Sequence, residues 1–333
     1  MLISLNKVLF LVSSAISFSI EKDTIMDKWY LVIDNDAGGD DALGIFLAVL
    51  FEKHYNGPQL IGLTTVHGNA EEENVYINNQ RVLKLAKRQD VPIYRGSNTS
   101  IVFKPPPAFY YGADGLGELE EELANLVPAN KKNAVDALLD LSREYNGKLI
   151  VVTTGPVTNV GFAVKRDPDF LSRLKHLYVA AGHIYSEEYP KGEFNARSDA
   201  EAYRLITENA TPDKVTVFPF SQVKTSLNIS KEWRVNTFGA LQSEIVKAQN
   251  MYERISLTKN DRWHALDPAA VAIALKPDLV REYKYSQNDI LLEGDKRGIN
   301  KNTFVDKDEA NVRVVFSVKE DDYKTFLLDL FSK

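Results

Sequence analysis

The 333-residue chain is 44% hydrophobic and 26% charged, with 18 glycines and 13 prolines; these ordinary globular values exclude a collagen-like, low-complexity or wholly disordered chain. Its 46 acidic and 40 basic side chains give a net charge of −6, and no dense Lys/Arg run supplies the basic face that a nucleic-acid binder needs. The absence of cysteine excludes a disulfide scaffold, a zinc–thiolate site, an iron–sulfur cluster and a thiol nucleophile, which leaves oxygen or imidazole to hold any metal.

Residues 1–20 carry Lys7, the apolar run Val8–Val12 and then small residues, the order of a secretory signal and too short to span a bilayer as a helix. The sequons at Asn98, Asn209 and Asn228 fit secretion; the alternative is a cytoplasmic chain that starts at Met26. From Tyr30 onward short apolar runs alternate with longer amphipathic ones. Tyr30–Asp34 reads as a buried strand, Asp41–Lys53 as a helix and Leu60–Thr65 as a second strand. Asn69 is positioned to cap a helix reaching about Arg88, with Glu72 at the capping-box position. Pro92–Tyr94 is a short strand, and Lys104–Gly117, with three consecutive prolines, is a loop. A helix at Ala134–Glu144 precedes the strand Leu149–Thr153, a Thr154-Gly-Pro turn and a helix from Thr158. His176–Ala180 and Lys214–Phe218 follow as strands around a helix at Asp199–Glu208. A β-hairpin after Asp289, the strand Val312–Val318 and a last helix complete the chain. This alternation predicts a single α/β domain over residues 27–333: an open, mostly parallel sheet flanked by helices, with a small C-terminal β-hairpin region.

The strongest chemical signal is Asp34-Asn-Asp36-Ala-Gly-Gly-Asp40-Asp41, four carboxylates in eight residues at the end of the first strand. Ligands of open parallel sheets bind outside the carboxyl ends of strands. Carboxylates this close repel one another unless a cation or protons intervene. Gly38 and Gly39 are expected to let the chain fold back, building an oxygen site for Ca²⁺ or Mg²⁺. A strand followed by DxD also fits an aspartyl phosphohydrolase with Asp34 as nucleophile, although the Asp40-Asp41 pair is surplus to that chemistry.

The cluster and five further segments in order resemble the inosine-uridine preferring nucleoside hydrolase family: DxDxxxDD at Asp34–Asp41, Thr64-Thr-Val-His-Gly-Asn69, Asp114-Gly-Leu-Gly117, Thr154-Gly-Pro-Val-Thr-Asn159, Glu193-Phe-Asn195 and Asp267-Pro-Ala-Ala-Val-Ala. The resemblance implies hydrolysis of the N-glycosidic bond of purine or pyrimidine ribonucleosides to ribose and free base, as in nucleoside catabolism. It implies one Ca²⁺ per subunit, held by Asp36, Asp41, Asp267 and the Thr154 carbonyl, with Asp36 as general base toward a calcium-bound water. Asp40, Asn69 and Asn195 would bind the 2′- and 3′-hydroxyls, Glu193 would lie on the 5′ side, and Asp34 would orient its neighbours. It implies a homo-oligomer, dimer or tetramer, with no nucleic-acid or membrane partner.

The resemblance frays where the leaving base must be activated. Relatives preferring inosine and uridine carry His immediately before the late Asp, where this chain has Leu266, and purine-specific ones carry Trp there. His264 and Trp263 lie just upstream, and Tyr111, after Tyr110, stands where many relatives have His before Gly. His264 and Tyr111 are therefore the candidates for the leaving-group step. The family's Asn for the 5′-hydroxyl falls on Glu187. His67 and His183, at strand ends, are further candidates to line the pocket, while His54 and His176 read as structural. Two other readings stand beside the hydrolase: a Mg²⁺-dependent aspartyl phosphohydrolase, and a non-catalytic, calcium-dependent nucleoside-binding protein suggested by Leu266.

Overall fold

The computed structural model describes residues 28–119, 126–184 and 188–333. The N-terminal segment expected to be a secretory signal, the alternative start at Met26 and the position of Glu187 lie outside them. Six strands alternate with helices in the first two-thirds of the chain: β1 Tyr30–Asn35, β2 Gln59–Thr65, β3 Ile93–Tyr94, β4 Leu149–Thr153, β5 His176–Ala180 and β6 Val215–Phe218. The short β7 Ile229–Ser230 and β8 Arg262–Trp263 pair with each other, and β9 Val280–Ile290, β10 Asn300–Phe304 and β11 Val312–Val318 return to the main sheet. Among the described residues that sheet has nine strands in the order β10-β9-β11-β6-β5-β4-β1-β2-β3. β1 to β6 and β11 run parallel, and β9 is antiparallel to both its neighbours. The expected open, mostly parallel α/β sheet is present.

Period-2 alternation divides the core between two faces, as in a doubly covered sheet. Leu31 and Ile33 of β1 and Ile150 and Val152 of β4 point to the side packed by helix α1 (Gly39–Tyr55) and the helix Leu266–Leu275. Val32, Leu149 and Val151 point to the other side, covered by α3 (Ala134–Glu144), α4 (Thr158–Arg166) and the helix Ala200–Glu208, while α2 (Glu72–Leu85) covers the β2 end of the first face. The chain runs outward from β1 through β2 to β3, then returns to place β4 on β1's other side. That reversal opens a crevice at the carboxyl ends of β1 and β4, where the fold predicts a ligand site.

Three local expectations change. Asn69 does not cap α2; Glu71 precedes the helix, because the Asn69 side chain is drawn instead to Asp36 and Asp41. The turn after β1 is made by Ala37, at φ 38, whereas Gly38 is extended at φ −78. Glycine is needed there for close approach: a Cβ on Gly38 would lie 2.6 Å from Asn69 Nδ2 and 2.7 Å from the Tyr111 ring. The C-terminal hairpin starts at Val280 rather than after Asp289, since β9 exposes charged residues such as Arg281 and Glu282 and so lacks a continuous apolar run.

Candidate active site

Each carboxylate of the first-strand cluster has a distinct setting. Asp34, still within β1, turns inward, where its Oδ1 accepts from Thr64 Oγ1 at 2.5 Å and Asn159 Nδ2 at 2.7 Å. It thereby ties the ends of β1 and β2 to α4. Asp36 accepts from the Asn69 backbone N–H at 2.8 Å and from Asn69 Nδ2 at 3.1 Å. Asp41, in the first turn of α1, accepts from the Gly38 N–H at 2.7 Å, Thr154 Oγ1 at 2.6 Å and Asn69 Nδ2 at 3.3 Å. Asp267 opens the helix that packs along α1, and carboxylate oxygens of Asp40, Asp41 and Asp267 lie within 4.8 Å of one another. Asp36 joins this group through Asp41.

Burial dominates the electrostatics, because taking a carboxylate out of water disfavours its charged form. It pushes Asp34 up to about 6 and, with the neighbouring Asp41 charge, Asp40 up to about 7. Asp36 and Asp267 are raised further, by burial and then by the surrounding carboxylates. Among the described residues no Lys or Arg pairs with Asp36, Asp40, Asp41 or Asp267, and Asp40 Oδ1 is buried without a hydrogen-bond partner. An all-oxygen donor set, mutually repelling and lacking an internal cation, fits a hard divalent ion.

The amides around this centre spend their N–H groups inside the protein. Asn69 Nδ2 goes to Asp36 and Asp41, and Asn195 Nδ2 goes to the carbonyls of Thr154 at 2.9 Å and Ala180 at 3.0 Å. Their side-chain oxygens are left to accept. Glu193 caps the helix Phe194–Ser198, accepting from the N–H groups of Asn195, Ala196 and Gly182 at 2.9–3.0 Å. The structure thus brings Asp36, Asp40, Asn69, Asp41, Thr154, Glu193, Asn195 and Asp267 to one end of the sheet.

The other side is built from loops. Tyr111 is buried with its ring over Gly38 and Gly39 and its hydroxyl toward Asp40; burial and the carboxylates Asp40 and Glu253 push it well above its ordinary value, so it keeps its proton. Lys259 Nζ donates to the carbonyls of Phe109 at 3.2 Å and Tyr110 at 2.6 Å, and Asn260 donates to the Tyr110 hydroxyl, fixing this loop to the β8 approach. His264 borders the same crevice as Tyr110, Tyr111 and Glu253, with Nε2 3.3 Å from Asn228 Oδ1. Burial, then Lys224 and Arg262, lowers its pKa, so the ring is neutral at pH 7. Trp263 is a core residue, stacked near Trp233 and Phe238, and Leu266 is buried beside it. His67 props the proline-rich loop through Nε2, 2.6 Å from the Pro105 carbonyl. His183 stacks on Tyr189, and buried His176 faces Thr216.

Sequence reasoning did not find Glu253 or Arg234. The Arg234 guanidinium is fully buried, donating to Glu253 Oε2 and to Asn250 Oδ1, while Glu253 accepts from Trp263 Nε1 at 2.8 Å and packs on Gly39. Nothing in the local sequence marks two charges 19 residues apart as a buried pair.

Oxygen donors gathered at a strand switch point of an open α/β sheet form a candidate hydrolytic centre. The chain is a member of the inosine-uridine preferring nucleoside hydrolase family, whose model matches residues 31–325. It is 30% identical over 264 residues to an uncharacterized protein of Schizosaccharomyces pombe, covering 75% of this chain and 81% of that one. It is 27% identical to uridine nucleosidase 1 of Arabidopsis thaliana, covering 75% and 74%. A solved plant nucleoside hydrolase shares the fold, with a TM-score of 0.81 at 24% identity over 91% of this chain and 99% of that one.

Proposed function

We propose that this enzyme hydrolyses ribonucleosides with one Ca²⁺ held by Asp36, Asp41, Asp267 and the Thr154 carbonyl. The observation that carries this is the acceptor-rich centre: buried carboxylates beside two amides, Asn69 and Asn195, whose N–H groups are already spent. Such a centre suits a vicinal diol, which needs acceptors, and a ribosyl cation, which needs negative charge around it. Bound Ca²⁺ would supply a Lewis acid that grips the diol and eases ionisation of water.

Asp36 takes the proton of the attacking water, held for that role by Asn69. Water oxygen bonds to C1′ as the C1′–N bond breaks, and the leaving nitrogen gains a proton. Asp40, Asn69 and Asn195 accept from the 2′- and 3′-hydroxyls, with Asp40 Oδ1 free to do so. Glu193 stands at the far end of the sugar. Tyr111, protonated and facing Asp40 with its ring over Gly38 and Gly39, is the donor placed toward the leaving base, with His264, bordering the same crevice, as the second candidate.

Inosine, adenosine, uridine and cytidine are incubated with enzyme, and free base and reducing sugar are measured with and without chelator. Base release that stops on chelation and returns with Ca²⁺ is the expected result. Phosphate release without base release favours the Mg²⁺ phosphohydrolase, and calcium-dependent binding without turnover favours the non-catalytic protein. The same assay sets purine against pyrimidine preference. Secretion is tested by N-terminal sequencing of the natural protein, and assembly as a dimer or tetramer by light scattering.

A further inference from the structure

β10 brings a third amide to the site. The Asn300 side chain packs over Gly182: a Cβ there would lie 2.6 Å from Asn300 Oδ1 and 3.2 Å from Asn300 Nδ2. Gly182 is also the residue whose N–H binds Glu193, so Asn300 and Glu193 both bear on Gly182, just beyond the end of β5. The orientation of the amide is set by the backbone, since Oδ1 accepts from the His183 N–H at 3.1 Å. Nδ2 is therefore the free end. Asn300 is 2% exposed, and its Nδ2 has no hydrogen-bond partner among the described residues. A buried donor left unpaired costs about 1–3 kcal/mol and calls for a reason.

The comparison with its neighbours supplies one. Asn69 and Asn195 spend their N–H groups and keep an oxygen; Asn300 spends its oxygen and keeps its N–H groups. The sugar side is otherwise a set of acceptors, so Asn300 is its complementary donor. Asp40 Oδ1, which the proposed function sets against the sugar, is sealed and unpartnered in the same way. The diol is anchored by the acidic centre, and the base lies toward the Tyr111 loop. What remains for the Glu193 and Asn300 corner is the hydroxymethyl arm of the ribose.

We infer that Asn300 is a substrate-binding residue whose Nδ2 donates to the 5′-hydroxyl of the nucleoside while Glu193 accepts from it. The inference rests on the proposed ribonucleoside hydrolysis. It makes the C-terminal hairpin, joined to the sheet edge farthest from β1, part of the site.

The test compares the best of the four nucleosides with its 5′-deoxy counterpart in wild type, Asn300→Ala and Asn300→Asp. Wild type should prefer the 5′-hydroxyl substrate, and both variants should lose roughly ten- to a hundredfold in kcat/KM on it while changing less than about threefold on the 5′-deoxy substrate. Asn300→Asp, assayed at pH 8, keeps an oxygen for the His183 N–H, so it serves if the alanine variant does not fold. Equal losses on both substrates, or no loss on either, overturn the assignment in favour of a purely structural clamp on His183. A wild type indifferent to the 5′-hydroxyl overturns it without any variant. Failure of wild type to release base from any nucleoside removes the underlying reading, and the inference with it, a result distinct from an active enzyme whose discrimination ignores Asn300.

Discussion

The two sides of the site are built on different principles. The side proposed to hold the sugar hangs from strand ends and helix starts: Asp36 after β1, Asn69 after β2, Thr154 after β4, Asn195 beyond β5 and Asp267 at a helix start. Its side chains hydrogen-bond one another, so each position is set by several others. The side proposed to face the base hangs from two loops, one carrying Tyr110 and Tyr111 and the other His264, held together by Lys259, Asn260 and the buried Arg234–Glu253 pair. Strand ends in a parallel sheet cannot move without disturbing the ladder, whereas loops can trade residues. The motifs of the family hold on the first side apart from Glu187, and the departures at Tyr111 and Leu266 fall on the second.

The sharpest way to break this comparison is to disable the rigid side without unfolding it. Asp36→Asn should lower base release by roughly 10³-fold or more, since it removes the proposed base and one cation ligand. In chelator its melting temperature should hold or rise, because a carboxylate raised by burial and then by its neighbours is replaced with a neutral group of the same shape. Near-normal activity would sink the assignment. On the loop side the largest effect should be on stability. Arg234→Met leaves Glu253 buried without its cation, and urea unfolding should show a loss of about 3–5 kcal/mol. A loss under about 1 kcal/mol would mean that the pair does not hold the loops.

That asymmetry also governs what could be read in advance. β1, β2, β4 and β5 announce themselves as apolar runs, and their ends carry the motif residues, so the sugar side was legible. Asn69 was visible as a polar residue before a helix, and only the pull of Asp36 and Asp41 shows why it is not a cap. The residues between Phe220 and Trp263 were not legible. There Arg234 and Glu253 look like surface charges, and their burial follows from tertiary packing against Gly39, Phe238 and Trp263. Asn300 was hidden for a related reason: β9 and β10 form the polar edge of the sheet, where alternation with solvent erases an apolar signal.

Metal and pH should separate the sides next. Asp34, at about 6, and Asp40, at about 7, bind protons more tightly in the folded chain than at their ordinary 3.8. These carboxylates, with Asp36 and Asp267, therefore hold more protons folded than unfolded between about pH 4 and 7 and contribute stability that falls as pH rises through that window. They are opposed by His176, at about 3, and His183, at about 4, which bind fewer when folded. Melting temperature in chelator should drop across the window, and added Ca²⁺ should restore more at pH 7 than at pH 4.5. A slope in chelator that Asp267→Asn leaves unchanged would contradict the buried cluster. Asp267→Asn should flatten the curve, while His264→Ala should steepen it slightly, because the lowered imidazole binds fewer protons folded than unfolded.

The smallest effects distinguish the two leaving-group candidates on the loop side. Tyr111 keeps its proton and faces Asp40, whereas His264 is neutral and turned to Asn228. Tyr111→Phe removes only the hydroxyl and leaves the ring packed on Gly38 and Gly39, so kcat should fall about ten- to a hundredfold with KM little changed. His264→Ala should cost less than about threefold. The substrate series adds a control. A nucleoside with a leaving group that needs no protonation, such as a p-nitrophenyl riboside, should be cleaved by Tyr111→Phe at nearly the wild-type rate, because the lost proton is no longer required. If that substrate suffers the same drop, Tyr111 acts through the shape of the site rather than by donation. If His264→Ala carries the larger effect, the imidazole supplies the proton despite its burial, and the distinction between a protonated Tyr111 and a neutral His264 falls.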